Sequence, residues 1–346
     1  MPSQASRSMV NVPDRRPVIR DVARAAGVSV PTVSRVLTGA ARVSEEKARR
    51  VRQAIEELGY RPSATARALV ARKPKLIAVI AGNTSRYGYA EVIRGVEEGA
   101  RADGYTVSIT VVESADPAEV ERAISLVASQ PIAGVVVLKF DPPGVAALHA
   151  LPDGVPAVAV SGVRATGVPQ AVLDESWAAH ELVDHVLDLG HATVHHVSVP
   201  PSRTEDGRTT GWRKALKARG AVVPPVLAAS WEPESGREIG RELAARDDVT
   251  AVFCGNDEIA MGVIRGLREG GREVPEDVSV AGFDDHPLAQ MFSPSLTTVH
   301  QDFAGLGSRA YHLLDDVIEG RKVRKFWSER PTLVVRESVA PPPASS

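Results

Sequence analysis

The residues best suited to chemistry fall into two groups, far apart in the chain and opposite in charge. Near the N-terminus, Ser29-Val30-Pro31-Thr32-Val33-Ser34-Arg35-Val36-Leu37-Thr38-Gly39 has the spacing of a short helix. Val33, Val36 and Leu37 form its inward side, so Val30, Pro31, Ser34 and Arg35 face outward; Ser29 suits the N-cap and Gly39 the stop. Pro31 fits because a first-turn residue needs no intrahelical N–H bond. Much later, acid and amide groups directly follow apolar runs of strand length. Gly255-Asn256-Asp257 follows residues 251–254, and Phe283-Asp284-Asp285 follows residues 278–281. Open α/β sheets bind ligands at such carboxyl ends. A plain helix N-cap is the other role open to Asn256 and Asp257.

Charge separates the groups. Residues 1–75 carry 16 Lys and Arg against 6 Asp and Glu, whereas residues 76–346 carry 25 against 37. A basic module on an acidic remainder suits a phosphate backbone, because each neutralised phosphate releases counterions. Signals for catalysis are weak. No Gly-rich phosphate loop follows a strand, no Ser-His-Asp order carries a nucleophile elbow, and Cys254 has no local base. His191, His195 and His196 surround a strand start, but neighbouring strand residues point to opposite faces, a poor metal cage. These observations favour a binding protein with no enzyme activity, cofactor or metal.

The first group needs helices to position it. Val22, Ala23 and Ala26 share one face of a helix before the outward-facing segment, and Gly27 supplies the turn between them. A helical hairpin is the bland alternative, but the local charge favours a helix-turn-helix, whose second helix enters a DNA major groove. A third helix runs from an N-cap at Ser44, with Glu45 and Glu46 in its first turn, through Val51 and Ile55 to Leu58. It exposes Lys47, Arg49, Arg50 and Arg52. Pro62 and Ser63 then open a helix over 64–71, too short to persist in water without support.

The second group needs strands. From Leu76 onward, continuous apolar runs alternate with helical patterns, which implies parallel sheets covered on both faces. The strands are too many for one comfortable open sheet, so two doubly wound lobes are expected. Boundaries follow: a disordered arm over 1–17, a headpiece over 18–62, a hinge and linker over 63–74, a core over 75–341 and a disordered tail over 342–346. Lobe 1 takes about 75–173 and 303–330, lobe 2 about 174–302 and 331–341. One cysteine excludes an internal disulfide and fits a reducing cytosol. No apolar run reaches the ~18 residues of a membrane span and no secretory h-region follows the N-terminus, so a cytoplasmic protein with no membrane partner is expected.

Several blocks carry a resemblance: Asp-Val-Ala at 21–23, Ala-Gly-Val-Ser at 26–29, Thr-Val-Ser-Arg-Val-Leu at 32–37 and Leu-Gly-Tyr-Arg-Pro at 58–62. Residues 19–69 resemble the DNA-binding headpiece of the lactose-repressor and purine-repressor (LacI/GalR) family of bacterial transcription regulators. A weaker resemblance continues to about residue 340. It implies an all-α helix-turn-helix headpiece on an α/β core of two doubly wound parallel-sheet lobes, like a periplasmic binding protein. It also implies a sequence-specific transcriptional regulator: a homodimeric repressor on a palindromic DNA operator, controlled by a small-molecule effector between the lobes. Nothing after Pro341 resembles a tetramerising leucine helix.

By the same resemblance, DNA contacts fall to Ser29, Val30, Pro31, Thr32, Ser34 and Arg35. Ala66 and Leu69 belong to a hinge helix that orders on DNA, where Leu69 wedges between base steps. Effector contacts fall to Arg208, Trp231, Asn256, Asp284, Gln301 and Tyr87, with Asp257 capping the helix that begins near Glu258. Polar groups gathered around one aromatic plate suit the hydroxyls and C–H face of a sugar. A purine would use the same plate, as in a corepressor-responsive regulator, and Trp231 has a core role open to it. Two departures leave first-lobe contacts open: Asn83-Thr84-Ser85-Arg86-Tyr87-Gly88-Tyr89 replaces an Asn-Pro-Phe-Phe-like turn, and Asp174-Glu175 replaces the commoner Asp-Asn. The rivals are a two-lobed sugar receptor without gene control, which would need an export signal and no basic headpiece, and a sugar-metabolising enzyme, which would need paired catalytic groups.

Overall fold

The computed structural model describes residues 17–38, 43–60, 74–162, 167–202 and 205–343. The arm over 1–16 and the hinge positions Ala66 and Leu69 lie outside the described residues. The chain divides into two units, residues 1–75 and 76–346.

In the first unit, α1 (Ile19–Ala26), α2 (Val30–Thr38) and α3 (Glu45–Leu58) close on a small core. Val22, Ala23, Ala26, Val33, Val51, Ala54 and Tyr60 are buried there, and Val36, Leu37 and Ile55 pack against them. Gly27 takes φ 61°, a left-handed conformation that only glycine adopts cheaply. The next N–H, of Val28, can then reach the Ala23 carbonyl at 3.0 Å. The Ser29 carbonyl accepts from Val33 N at 3.1 Å, and its hydroxyl lies 2.9 Å from Thr32 Oγ1. Ser44 stands at the N-cap of α3 but its side chain makes no cap bond, which corrects the role expected from its type.

The second unit holds two parallel sheets. The first contains β1 (Leu76–Ala81), β2 (Thr106–Val111), β3 (Gly134–Leu138), β4 (Ala157–Ser161), β5 (Gln170–Leu173) and the late strand β11 (Phe326–Glu329). Their spatial order is β2-β1-β3-β4-β5-β11. Side-chain alternation sends Ile77, Val79, Val136 and Leu138 into one layer, with α4 (Tyr87–Ala102) and α11 (Phe303–Ile318). Ala78, Ile80, Val135 and Val137 enter the other, with α5 (Pro117–Ala128) and α6 (Pro142–Ala150). Strands buried on both faces are why these runs are apolar throughout. A Cβ on Gly95 of α4 would stand 1.9 Å from the Ala304 carbonyl of α11, so the two helices approach backbone to backbone. Helix α6 was not foreseen, because Pro142-Pro143 reads as a break. Both prolines sit in its first turn, and Asp141 caps it by accepting from Gly144 N at 2.8 Å.

The second sheet has the order β7-β6-β8-β9, from β6 (His195–Ser198), β7 (Leu227–Ala228), β8 (Ala251–Cys254) and β9 (Ser279–Ala281). Helices α7 (Glu175–Asp188) and α8 (Gly207–Ala218) cover one face around Trp212 and Phe253. Helices α9 (Pro233–Ala244) and α10 (Asp257–Glu269) cover the other around Val252 and Val280. A short antiparallel pair, β10 (Thr298–His300) with β12 (Thr332–Val334), extends this lobe. Neither strand was expected, nor was β11, whose residues alternate between exposed and half-buried. The chain passes between the sheets after β5, after β10 and after β11. Pro342, placed in the tail by composition, is half-buried beside Gly190.

Candidate functional site: a cleft between two switch points

Each sheet reverses its winding once. In the first, β1 and β3 lead in opposite directions, and the segments after them carry Arg86, Tyr87, Lys139 and Phe140. In the second, β6 and β8 do so, and the following segments carry Pro200, Ser202, Asn256 and Glu258. A crevice opens at such a reversal because successive connections leave for opposite faces. The two crevices line one cleft, whose empty space including its open mouth is about 660 Å³.

Arg208, in the first turn of α8, organises the cleft floor. Its Nη2 lies 3.0 Å from both Glu175 Oε1 and Asp284 Oδ1, and its Nε lies 3.2 Å from Glu175 Oε1. Nη1 donates to the Gly255 carbonyl, and the guanidinium stacks 4.6 Å above the Phe283 ring. Asp284 reaches it from a strained backbone, φ 105°, a conformation costing a non-glycine residue about 1–3 kcal/mol. Asp285, at φ 53°, turns away to accept from Arg336 at 2.7 Å and to meet His300 Nδ1 at 3.1 Å. The sharp turn therefore directs two adjacent carboxylates to different partners.

These charges are poorly balanced. Burial pushes the Asp284 carboxyl up to about 7; Arg208 opposes the rise, while Glu258 and Glu175 add to it. Burial also raises Glu175, against the pull of Arg208. Burial disfavours the Arg208 cation, but Asp284, Glu175 and Asp206 outweigh it and hold its proton more firmly than usual. One guanidinium thus faces more negative charge than it can neutralise.

The walls are aromatic. Tyr87 meets His286 edge-on with ring centroids 4.9 Å apart, and Phe303 at 5.9 Å. Phe140 meets Tyr89 at 5.3 Å, and Tyr89 donates its hydroxyl to Asp141. Trp231 stands on the opposite lobe at the edge of that lobe's core, with the Arg86 guanidinium 4.7 Å over its ring.

Five of the six residues singled out from sequence line this cleft: Tyr87, Arg208, Trp231, Asn256 and Asp284. Gln301 does not line it. It is buried and donates from Nε2 to Asp284 Oδ1 at 2.7 Å, while its Oε1 has no partner among the described residues. It therefore acts on the cleft by holding Asp284. Asn256 is both a lining residue and the N-cap of α10, accepting from Ile259 N at 2.9 Å. The cap assigned to Asp257 is corrected accordingly. Asp257 is fully buried and ties β10 to the loop before it, accepting from Thr298 Oγ1 and His286 N, each at 2.6 Å. Trp231 is half-buried at the wall rather than a core residue. The histidines are structural in their contacts: His196 stacks on Phe253 at 4.7 Å and His191 bonds Thr250 and Ala340.

Sequence reasoning missed Lys139, Phe140, Asp206 and Glu258, and treated Glu175 only as a departure from pattern. Lys139-Phe140 follows β3 directly, so the strand-end rule applied to Asn256 would have found both.

On the headpiece, Ser29, Val30, Pro31 and Arg35 are exposed, while Thr32 and Ser34 are half-buried. Lys47, Arg49, Arg50 and Arg52 are exposed on α3. The helix-turn-helix thus presents an apolar pair and an arginine from its second helix.

A basic helix-turn-helix followed by a two-lobed core with a polar and aromatic cleft defines a DNA-binding transcriptional regulator with a small-molecule-binding core. Residues 18–63 match bacterial regulatory proteins of the lacI family, and residues 183–339 match the periplasmic binding protein-like domain. The HTH-type transcriptional repressor PurR of Pectobacterium carotovorum subsp. carotovorum is 35% identical over 94% of this chain and 97% of its own. PurR of Erwinia tasmaniensis is 36% identical over the same shares. The chain belongs to the lacI family of bacterial regulatory proteins.

Solved structures agree. The lac repressor dimer bound to operator and the anti-inducer ONPF superposes with TM-score 0.87 at 27% identity, over 94% of this chain and all of that one. The transcriptional regulator CelR–cellobiose complex superposes with TM-score 0.70 at 30% identity, over 93% of this chain and all of that one. Among the described residues, no helix is long and apolar enough to cross a membrane.

Proposed function

We propose that this protein is a cytoplasmic, homodimeric repressor that reads a palindromic operator and is controlled by a sugar or sugar derivative held in the cleft. The observation that carries the effector reading is the facing pair of switch points, which gathers Arg208, Asp284, Asn256 and Glu175 against Trp231, Tyr87 and Phe140 in one crevice. Hydroxyls need acceptors and donors at fixed places and the ring needs an apolar plate. Support comes from the cellobiose complex of a relative 30% identical.

On the headpiece, Arg35 takes the role of a guanine-reading arginine, Ser29, Thr32 and Ser34 contact backbone or base edges, and Val30 and Pro31 pack on apolar base edges. Leu69 is the minor-groove wedge and Ala66 the small contact between paired hinge segments. A two-fold dimer matches a palindrome because each half-site meets the same surface. The effector acts by favouring one arrangement of the lobes over the other. The protein is read as a binder, not as an enzyme.

A purine effector is the second reading, favoured by the 34–36% identity to PurR repressors and by the aromatic walls. Thermal stabilisation of the purified protein by a panel of carbohydrates and purine bases separates the two, since a ligand that binds only the native state raises the melting temperature. Operator binding is tested by removing residues 1–73, which should abolish DNA binding and leave the ligand-induced shift. Retained operator affinity would reject the headpiece assignment.

A further inference from the structure

On the cleft floor two carboxylates share one guanidinium. Glu175 and Asp284 are both buried and both lean on the same guanidinium nitrogen, each at 3.0 Å. Arg208 is committed to Glu175 Oε1, Asp284 Oδ1 and the Gly255 carbonyl. Asp206 and Glu258 line the same cavity; the other cations on its wall are Arg86 and Lys139. Arg86 is laid over Trp231.

Two further observations mark this as a built site rather than a chance collection of acids. Gln301, 2% exposed, holds Asp284 with its amide nitrogen while its own Oε1 has no partner among the described residues. The backbone is also cleared for Glu175: a Cβ on Gly162 would stand 2.2 Å from Glu175 Oε2, and one on Gly207 3.0 Å from Glu175 Cβ. Space has been made from both lobes for a carboxylate in this position.

We propose that the effector presents a positively charged group, an ammonium carried on a sugar or polyol, to the Glu175–Asp284 pair. This rests on the reading of the cleft as the effector site and narrows the ligand class from neutral carbohydrates to amino sugars and aminocyclitols. An ammonium supplies three donors and one charge, which matches two carboxylates that share a single guanidinium nitrogen. A neutral hydroxyl supplies one donor and leaves the second carboxylate unbalanced.

The test is a titration of the full-length protein, by calorimetry and thermal shift, with matched pairs: D-glucosamine and D-glucose, D-galactosamine and D-galactose, aminocyclitols and inositols, with purine bases alongside. At least one amine should bind ten-fold or more tightly than its neutral partner, and Glu175→Gln should cut that ratio below about three-fold. Proton uptake or release gives an independent measurement on the unaltered protein. Because Asp284 is pushed up to about 7 beside Arg208, Glu175, Glu258 and Gln301, an ammonium should expel up to about half a proton at pH 7, seen by comparing buffers of different ionisation enthalpy. A neutral partner that binds equally well, or no proton release with a bound amine, would overturn the proposal. So would an amine panel that leaves the protein unshifted. In that case neutral sugars that shift it would leave the carbohydrate reading standing, and purines alone would remove both.

Discussion

Replacing Arg208 with leucine isolates the charge imbalance at the cleft floor. The substitution removes the Nη2 contacts to Glu175 and Asp284 at 3.0 Å and the Nε contact at 3.2 Å, leaving two buried carboxylates without the guanidinium they share. Breaking a buried ion pair on one side costs about 3–5 kcal/mol, chiefly through the uncompensated charge. The loss should depend on pH in a definite direction. A carboxyl whose folded-state pKa lies above its unfolded value costs stability above the folded pKa and nothing below the unfolded one. Both groups are already raised in the native protein, and losing Arg208 raises them further. The deficit relative to wild type should therefore be largest near pH 8 and shrink by about 1–3 kcal/mol by pH 5. The assay is urea unfolding followed by tryptophan fluorescence. All four tryptophans lie in the second unit, at 177, 212, 231 and 327, so the headpiece does not contribute to the signal. A deficit that stays constant from pH 5 to pH 8 would mean that lost packing, not stranded charge, explains the cost. Adding Glu175→Gln to the leucine variant should recover part of the loss at pH 8.

Other consequences are open to measurement. Burial holds the His196 ring down to about 4, so the unfolded chain takes up the proton first as pH falls; relative to His196→Gln, wild type should lose stability between about pH 6.5 and 4. Asp284 has the opposite slope in that range, which is why the comparison is made with the variant. Gly95→Ala forces a methyl to within 1.9 Å of the Ala304 carbonyl; urea unfolding should show a loss of about 1–3 kcal/mol from overpacking, and an unchanged midpoint would deny the close approach of α4 and α11. Arg86→Ala should bare the Trp231 ring, raising acrylamide quenching while costing no more than about 1 kcal/mol of stability. Arg35→Ala should weaken operator binding by about 1–3 kcal/mol and relax preference at one base pair, read from competition with operator variants; equal losses on all sequences would make Arg35 a phosphate contact.

The exposed face of α2 was legible because helix period and burial are local: Val33 is fully buried while Val30 and Arg35 are exposed, as the 3.6-residue repeat requires. The buried strands were legible for a similar reason, since a run such as Leu76-Ile77-Ala78-Val79-Ile80-Ala81 has no polar face to give water. Elements held by partners were not. Strand β11 has a half-exposed pattern and exists because β5 offers a free edge; β10 and β12 exist because they pair with each other. Helix α6 opens on two prolines and relies on Asp141 for its cap.

By itself, the order of residue types determined the helix-turn-helix, the strand runs and the strand ends at which Asn256 and Asp284 stand, because each depends on neighbours within a few positions. Tertiary structure alone decided that Glu175, Arg208 and Asp284, up to 109 positions apart in the numbering, share one buried network. It also decided that Gln301 stands behind Asp284 and that Arg86 covers Trp231. Charge balance in a cleft is a sum over groups brought in by different elements, and no local pattern contains that sum.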